Sequence, residues 1–245
     1  MPAHIKIEVR RMLRNKRYVF FVVAFPVLLY LLYSSLFGGQ VDDSTGLRAD
    51  VALMVSMAAY GGLAASIMTT AVPWAQERES GWLRQLQITP LADWAILVTK
   101  LLAALLMVLP SVLLVVLTAV LTRHVSMPAG EWIPLLVALW AGTIPFAALG
   151  LLIGSLLPAD SAQPAAIIGM FALAILGGLW FPTDMLPETM RNIARVLPSY
   201  DYARIGWDIV AGRAPAGGTL SGILAWGVGL VALAIFAYRR ATVRP

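Results

Sequence analysis

The sequence predicts an all-α integral membrane protein of six transmembrane helices, with an amphipathic interfacial helix at its N-terminus. A short helix on the cytoplasmic side and a re-entrant helix pair on the outer side complete the architecture. Three observations lead there. Of the 245 residues 60% are hydrophobic and only 13% charged, about half the charge of a soluble domain. All 31 charged residues fall outside six uncharged runs, Tyr18–Phe37, Val51–Gln76, Leu101–Thr122, Trp132–Leu157, Gln163–Phe181 and Thr219–Tyr238. Each run is about 20 residues or more, enough at ~1.5 Å per residue to cross a ~30 Å hydrocarbon core. The whole chain, 1–245, reads as one transmembrane domain.

Residues 4–17 place Ile5, Val9, Met12 and Leu13 at helical spacing, with Lys6, Arg10, Arg14 and Arg17 off that stripe. Such a helix suits an anionic leaflet surface. A basic start before an apolar stretch is also how a secretory signal begins. Tyr18–Phe37 is too long for a signal core, however, and no small-x-small cleavage site follows, so it reads as an uncleaved first span.

The connection Gly38–Asp50 is short and acidic. Asp42, Asp43 and Asp50 lack the spacing of an EF-hand and read as a solvated loop. In the second span Ala52, Ser56, Ala59, Gly62, Ser66, Thr69 and Pro73 recur at three- and four-residue steps. This stripe of small side chains lets another helix approach closely. It admits two readings: packing inside the subunit, or a face toward a substrate path or a second permease.

Gln76–Lys100 is an aqueous connection caught between uncharged runs. Trp82, Leu83 and Leu86 would share one face of a short helix, with Arg78, Glu79 and Arg84 lying elsewhere, and Pro90 disfavours helix at Thr89. The expected result is a brief amphipathic helix across the ends of two spans, shaped to press into a groove on a soluble partner.

Prolines 26, 110, 134 and 145 lie within or near the starts of spans, where they kink helices. Gly150-x-x-x-Gly154 in the fourth span offers a second close-packing face. In Pro182–Gly218, Leu186, Met190, Ile193 and Leu197 repeat at helical spacing until Pro198. Tyr202, Ile205 and Ile209 then mark a second short helix that Gly212 is placed to end. Two amphipathic pieces separated by a proline suit a re-entrant dip into the outer half of the bilayer.

Orientation follows from lysine and arginine. The segments 1–17, 77–100, 158–162 and 239–245 hold twelve basic residues, the alternate segments six. Both termini are thereby expected in the cytoplasm of a multi-pass protein in the cell membrane.

The Gln76–Lys100 connection resembles the first cytoplasmic loop of the type-2 ABC exporter permeases (ABC-2 type), whose pattern is close to E-R-E-x-G-T-L-x-x-L-x-x-T-P-L followed by a lysine at the next span. The matching residues are Glu77, Arg78, Glu79, Gly81, Leu83, Leu86, Thr89, Pro90, Leu91 and Lys100, and Trp82 stands where the family usually has threonine. The last outer connection is similar to the family's G-x-x-F-P-x-x-x-x-P…L-P-x-Y at Gly178, Phe181, Pro182, Pro187, Leu197, Pro198 and Tyr200. The resemblance covers essentially the whole chain. It implies that Glu77, Arg78, Glu79, Gly81, Trp82, Leu83 and Leu86 form a coupling helix docked on a separate ATP-hydrolysing subunit. It further implies a dimer of permeases and a fifth and sixth span joined by an outer re-entrant helix pair.

No phosphate-binding loop, Gly-x-Ser-x-Gly elbow or His-Glu-x-x-His site occurs, and there is no cysteine. His4 and His124 are isolated, so no metal ligand set is expected. ATP and magnesium are therefore expected on the partner subunit, with no cofactor on this chain and no nucleic acid bound. A path without charges suits an amphiphilic or hydrophobic passenger, a drug, antibiotic or lipid-like compound. Export of a polysaccharide or sodium, and an ABC-linked sensor or scaffold without net transport, are the alternatives.

Overall fold

A computed structural model describes residues 20–42, 46–82, 93–181 and 187–243. The chain opens with a π-helical turn, Phe20–Ala24, that runs into helix α1, Phe25–Phe37. A two-residue antiparallel ladder, β1 Val41–Asp42 with β2 Leu47–Arg48, then leads into α2, Ala49–Glu79. There follow α3 Asp93–Arg123, α4 Ala129–Ala141, α5 Ile144–Leu156, α6 Ala159–Leu176, α7 Glu188–Ala194, α8 Pro198–Val210 and α9 Gly217–Val243. Among the described residues five stretches are long and apolar enough to cross a membrane: Ala49–Glu79, Ile96–Arg123, Ala129–Leu156, Ala159–Leu176 and Gly217–Tyr238. The protein is thus an all-helical, multi-pass membrane protein apart from the small ladder. Val22–Phe37 is apolar but shorter. The expected interfacial helix 4–17 lies outside the described residues.

Helix α2 is the central rod. Its apolar window is 89% buried, against 22% for α6 and for α9, and α1, α3, α5, α6 and α8 pack around it. Small residues make this possible. In lipid there is no hydrophobic drive between helices, so close backbone approach supplies the packing energy. On α5 the face of Gly150 and Gly154 lies directly on α2: a Cβ at Gly150 would collide with the Thr70 hydroxyl and sit 2.8 Å from the Ile67 carbonyl oxygen. A Cβ at Gly154 would overlap the Ala71 carbonyl and come within 3.1 Å of the Ala75 nitrogen.

The uncharged run expected as one fourth span is broken at Gly142–Thr143 into α4 and α5. Pro145 has no N–H for the Ala141 carbonyl, which is the local reason for a break. The Thr143 N–H turns to the Trp140 carbonyl at 3.3 Å, and the Thr143 hydroxyl donates to the same oxygen at 2.6 Å. That leaves the Leu139 carbonyl without its helical donor, and the Tyr202 phenol of α8 supplies one. The Tyr202 ring fills the notch at Gly142, where any Cβ would strike it.

The molecule has two distinct ends. The end of α2 at residues 74–82 lies with the start of α3, the α5–α6 turn and Tyr238 of α9. At the opposite end Arg123 donates to the Ser34 hydroxyl at 3.1 Å, and Asp50, buried, pairs with Arg48 at 2.6 Å. There α8 is tied to the start of α2 by the Trp207 indole N–H, which donates to the Ala52 carbonyl at 3.3 Å.

At this end Asp201 of α8 is half-buried against α9, its carboxylate filling the place a Gly222 side chain would take. Burial pushes its pKa from 3.8 up to about 6. The folded chain therefore holds a proton that the unfolded chain has released over this window, and stability falls as pH rises from about 4 to about 6. Asp201→Asn is expected to remove that slope and to melt above the parent at pH 7, read as thermal midpoints in detergent at pH 4 and pH 7.

Candidate functional site

The charged residues Glu77, Arg78 and Glu79 are on the last turn of α2, which corrects the expectation of a separate helix spanning them. Leaving hydrocarbon does not stop backbone hydrogen bonding, and the helix continues three residues past the last uncharged one. It ends at Ser80, whose N–H bonds the Gln76 carbonyl at 2.9 Å, and at Gly81, whose φ of +74° is the left-handed geometry of a helix stop. Trp82 follows, 43% exposed. Leu83 and Leu86 lie outside the described residues.

Each of the three charges is bonded within the chain. Glu77 forms an ion pair with Lys100 on the second turn of α3, with both side chains largely shielded from solvent. The Arg78 guanidinium donates to two carbonyls at the C-terminal end of α5, those of Ser155 and, at 2.7 Å, Leu157. A Glu79 oxygen accepts the N–H of Ala159, the first residue of α6, at 2.9 Å. The last carbonyls and first N–H groups of helices lack internal partners and carry the ends of the helix dipole. A cation therefore sits at the end of α5 and an anion at the start of α6, so that Arg78 and Glu79 together clamp the α5–α6 turn.

Beneath this clamp lies an apolar joint. Trp74 is buried, packs against Tyr238 with ring centroids 5.5 Å apart and planes tilted by 50°, and donates its indole N–H to the Ser155 hydroxyl at 2.8 Å. Ile96 and Leu97 of α3, Leu151 of α5 and Ala234 of α9 complete it. Four membrane-crossing stretches thus converge on one helix end, and Trp82 emerges from that end. Sequence reasoning missed Trp74, Ser155, Ala159 and Tyr238. Most of their contacts use backbone groups or apolar rings some eighty residues or more away, which residue type does not advertise.

For the second predicted set, burial favours the first of its two readings, packing inside the subunit. Ala52, Ser56, Ala59, Gly62, Ser66 and Thr69 are all buried inside the single chain. They therefore line neither an open path nor a free face in this conformation. The Ser56 hydroxyl donates back to the Ala52 carbonyl at 3.0 Å and that of Ser66 to the Gly62 carbonyl at 2.8 Å. Gly62 accommodates the Tyr202 hydroxyl, which would be 2.7 Å from a Cβ there. The stripe is the close-packing surface of the central rod.

Of the third set, Met190 and Ile193 of α7 are exposed, Leu197 and Ile209 are half-buried, and Tyr202 and Ile205 are buried. Leu186 lies outside the described residues. Gly212, φ +67°, terminates α8. Among the described residues no three His, Asp or Glu side chains gather as a metal site would require.

A profile described as "ABC-2 family transporter protein" matches residues 49–238. The chain is also 29% identical over 210 residues, 85% of its own length and 84% of the relative's, to the Bacillus subtilis (strain 168) protein named "Putative transport permease YvfS".

Proposed function

The chain belongs to the ABC-2 family of transporter proteins, and from that premise we propose that it is the permease subunit of an ATP-driven exporter worked by a separate ATPase. Two copies, or this chain with a homologous permease, form the membrane unit, each with six spans once Tyr18–Phe37 is counted. Both termini and the 76–100 connection face the cytoplasm of the cell membrane, in keeping with the excess of lysine and arginine on that side. Glu188–Ala194 and Pro198–Val210 form the outer re-entrant pair. The cargo is an amphiphilic or hydrophobic compound of the drug, antibiotic or lipid-like class.

The observation that carries this reading is the clamp at the end of α2. A push on Trp82 and the residues after it reaches α3 through Glu77–Lys100 and the α5–α6 turn through Arg78 and Glu79. A single docking contact then moves several spans as one body, the two-state shift that ATP-driven closure of a partner requires. In this mechanism Leu83 and Leu86 are the apolar anchors on the ATPase, and the three charged residues transmit rather than dock.

The test is a pull-down of the ATPase subunit. Leu83→Asp with Leu86→Asp is expected to release it or to abolish its cargo-stimulated hydrolysis, because buried carboxylates at an apolar contact are costly. Unchanged capture and unchanged activity would remove the coupling role. An ABC-linked sensor that reports ligand without moving it shares the same clamp. Accumulation of cargo on one side of reconstituted vesicles separates the two.

A further inference from the structure

Between the broken span α4–α5 and the last helix α9 runs a groove of about 870 Å³, to which α8 contributes Ile205 and Ile209. All eighteen residues that line it are Ala, Gly, Ile, Leu, Pro or Val. Sites that orient a specific small molecule set a few polar groups among apolar ones; this lining has none. Its wall on α9 runs from Leu220 to Ile235, roughly 22 Å at 1.5 Å per residue. That is well over half of a ~30 Å hydrocarbon core, long enough to take a lipid tail lengthwise.

At the Pro215 end the wall meets charge. Arg213 lies two residues from Pro215 with its side chain 53% exposed, and it shares Asp208 with Arg204 at 3.5 and 3.4 Å. Across from it Glu131 of α4 brings one carboxylate oxygen within 3.6 Å of the place a Gly212 Cβ would occupy. The other Glu131 oxygen has no hydrogen-bond partner among the described residues. Two cations and two carboxylates at one rim match a headgroup carrying both signs better than an anion.

We propose that this groove is a binding site for one zwitterionic phospholipid, its tail along α9, its phosphate at Arg213 and its ammonium at Glu131. Bound there, the lipid wedges the broken span against the last helix and stiffens the Gly142–Thr143 break. The site is independent of the ATPase contact, and its failure leaves the coupling reading untouched.

The experiment is native mass spectrometry of the protein from nanodiscs of equal phosphatidylethanolamine and phosphatidylglycerol. The parent is expected to retain one phosphatidylethanolamine. Gly227→Leu projects into the groove, where the nearest atom to a new Cβ is the Pro145 ring at 3.6 Å. It is expected to lower retention by roughly tenfold, the effect of driving a branched side chain into occupied space. Gly229→Leu, with open space at its Cβ, retains the lipid. Glu131→Gln shifts selection toward phosphatidylglycerol, and Arg213→Gln, an exposed change that spares folding, weakens retention of both. The proposal is overturned if the parent retains no lipid, if Gly227→Leu retains as much as the parent, or if the two lipids are held equally. It is equally overturned if a Leu224→Cys variant cross-links to a second copy, which would then be the groove's occupant.

Discussion

In vesicles carrying the permease and its ATPase, Arg78→Ala is expected to cut cargo-stimulated ATP hydrolysis about tenfold or more while the ATPase stays bound. The guanidinium holds the carbonyls of Ser155 and Leu157 at the end of α5, and charge-assisted hydrogen bonds contribute about 1.5–3 kcal/mol each. Without them the polar ties from α2 to the α5–α6 turn among the described residues reduce to Glu79 and the Trp74–Ser155 bond. The push at Trp82 then dissipates locally. Arg78→Lys is expected to recover little, because a single ammonium lacks the planar fork that spans two acceptors. Retained binding with lost stimulation separates transmission at Arg78 from docking at Leu83 and Leu86. Full activity in Arg78→Ala would show that the clamp carries no force.

The second large effect is on folding. Gly150→Ala and Gly154→Ala are each expected to destabilise the protein by about 3 kcal/mol, the upper part of the range for overpacking. In both cases the new methyl meets backbone of α2: the Ile67 carbonyl for Gly150, the Ala71 carbonyl and Ala75 nitrogen for Gly154. Backbone cannot swing aside as a side chain can. Gly169→Ala, on α6 with open space around it, is the matched control. It is expected to be neutral or slightly stabilising, since alanine has less freedom to lose than glycine. Thermal midpoints in one detergent, read for all three variants, make the comparison.

What the residues reveal in advance follows from how lipid acts on a chain. Hydrocarbon offers no partner to a peptide group, so spans must be long, apolar and helical, and five such stretches stand where uncharged runs lie. The same solvent hides which helix is central. Lipid tails are as apolar as leucine, so α2, enclosed on all sides, and α9, mostly exposed, read as similar greasy runs. The small-residue stripe from Ala52 to Thr69 signals close packing but not its partner, which at Ala52 is Trp207 of α8 and at Gly62 is Tyr202 of α8 with Thr143.

The charged end of α2 was legible as a site and not as a geometry. Glu77, Arg78 and Glu79 stand out in any apolar chain, but two of them bind backbone groups of the α5–α6 turn, which every residue type possesses. The break at Gly142–Thr143 was equally hidden. Pro145 hints at it, but the device that stabilises it is the phenol of Tyr202, some sixty residues on. Asp201 gave no warning either, since its burial depends on the absence of a side chain at Gly222.

Coupling to an ATPase requires Trp82 and the residues after α2 to lie on the cytoplasmic side. The protein has no cysteine, so Trp82→Cys provides a single thiol at an exposed position. A membrane-impermeant maleimide is expected to label it in inside-out vesicles and not in intact cells, with protection when the ATPase subunit is bound. Labelling from outside intact cells would contradict the account.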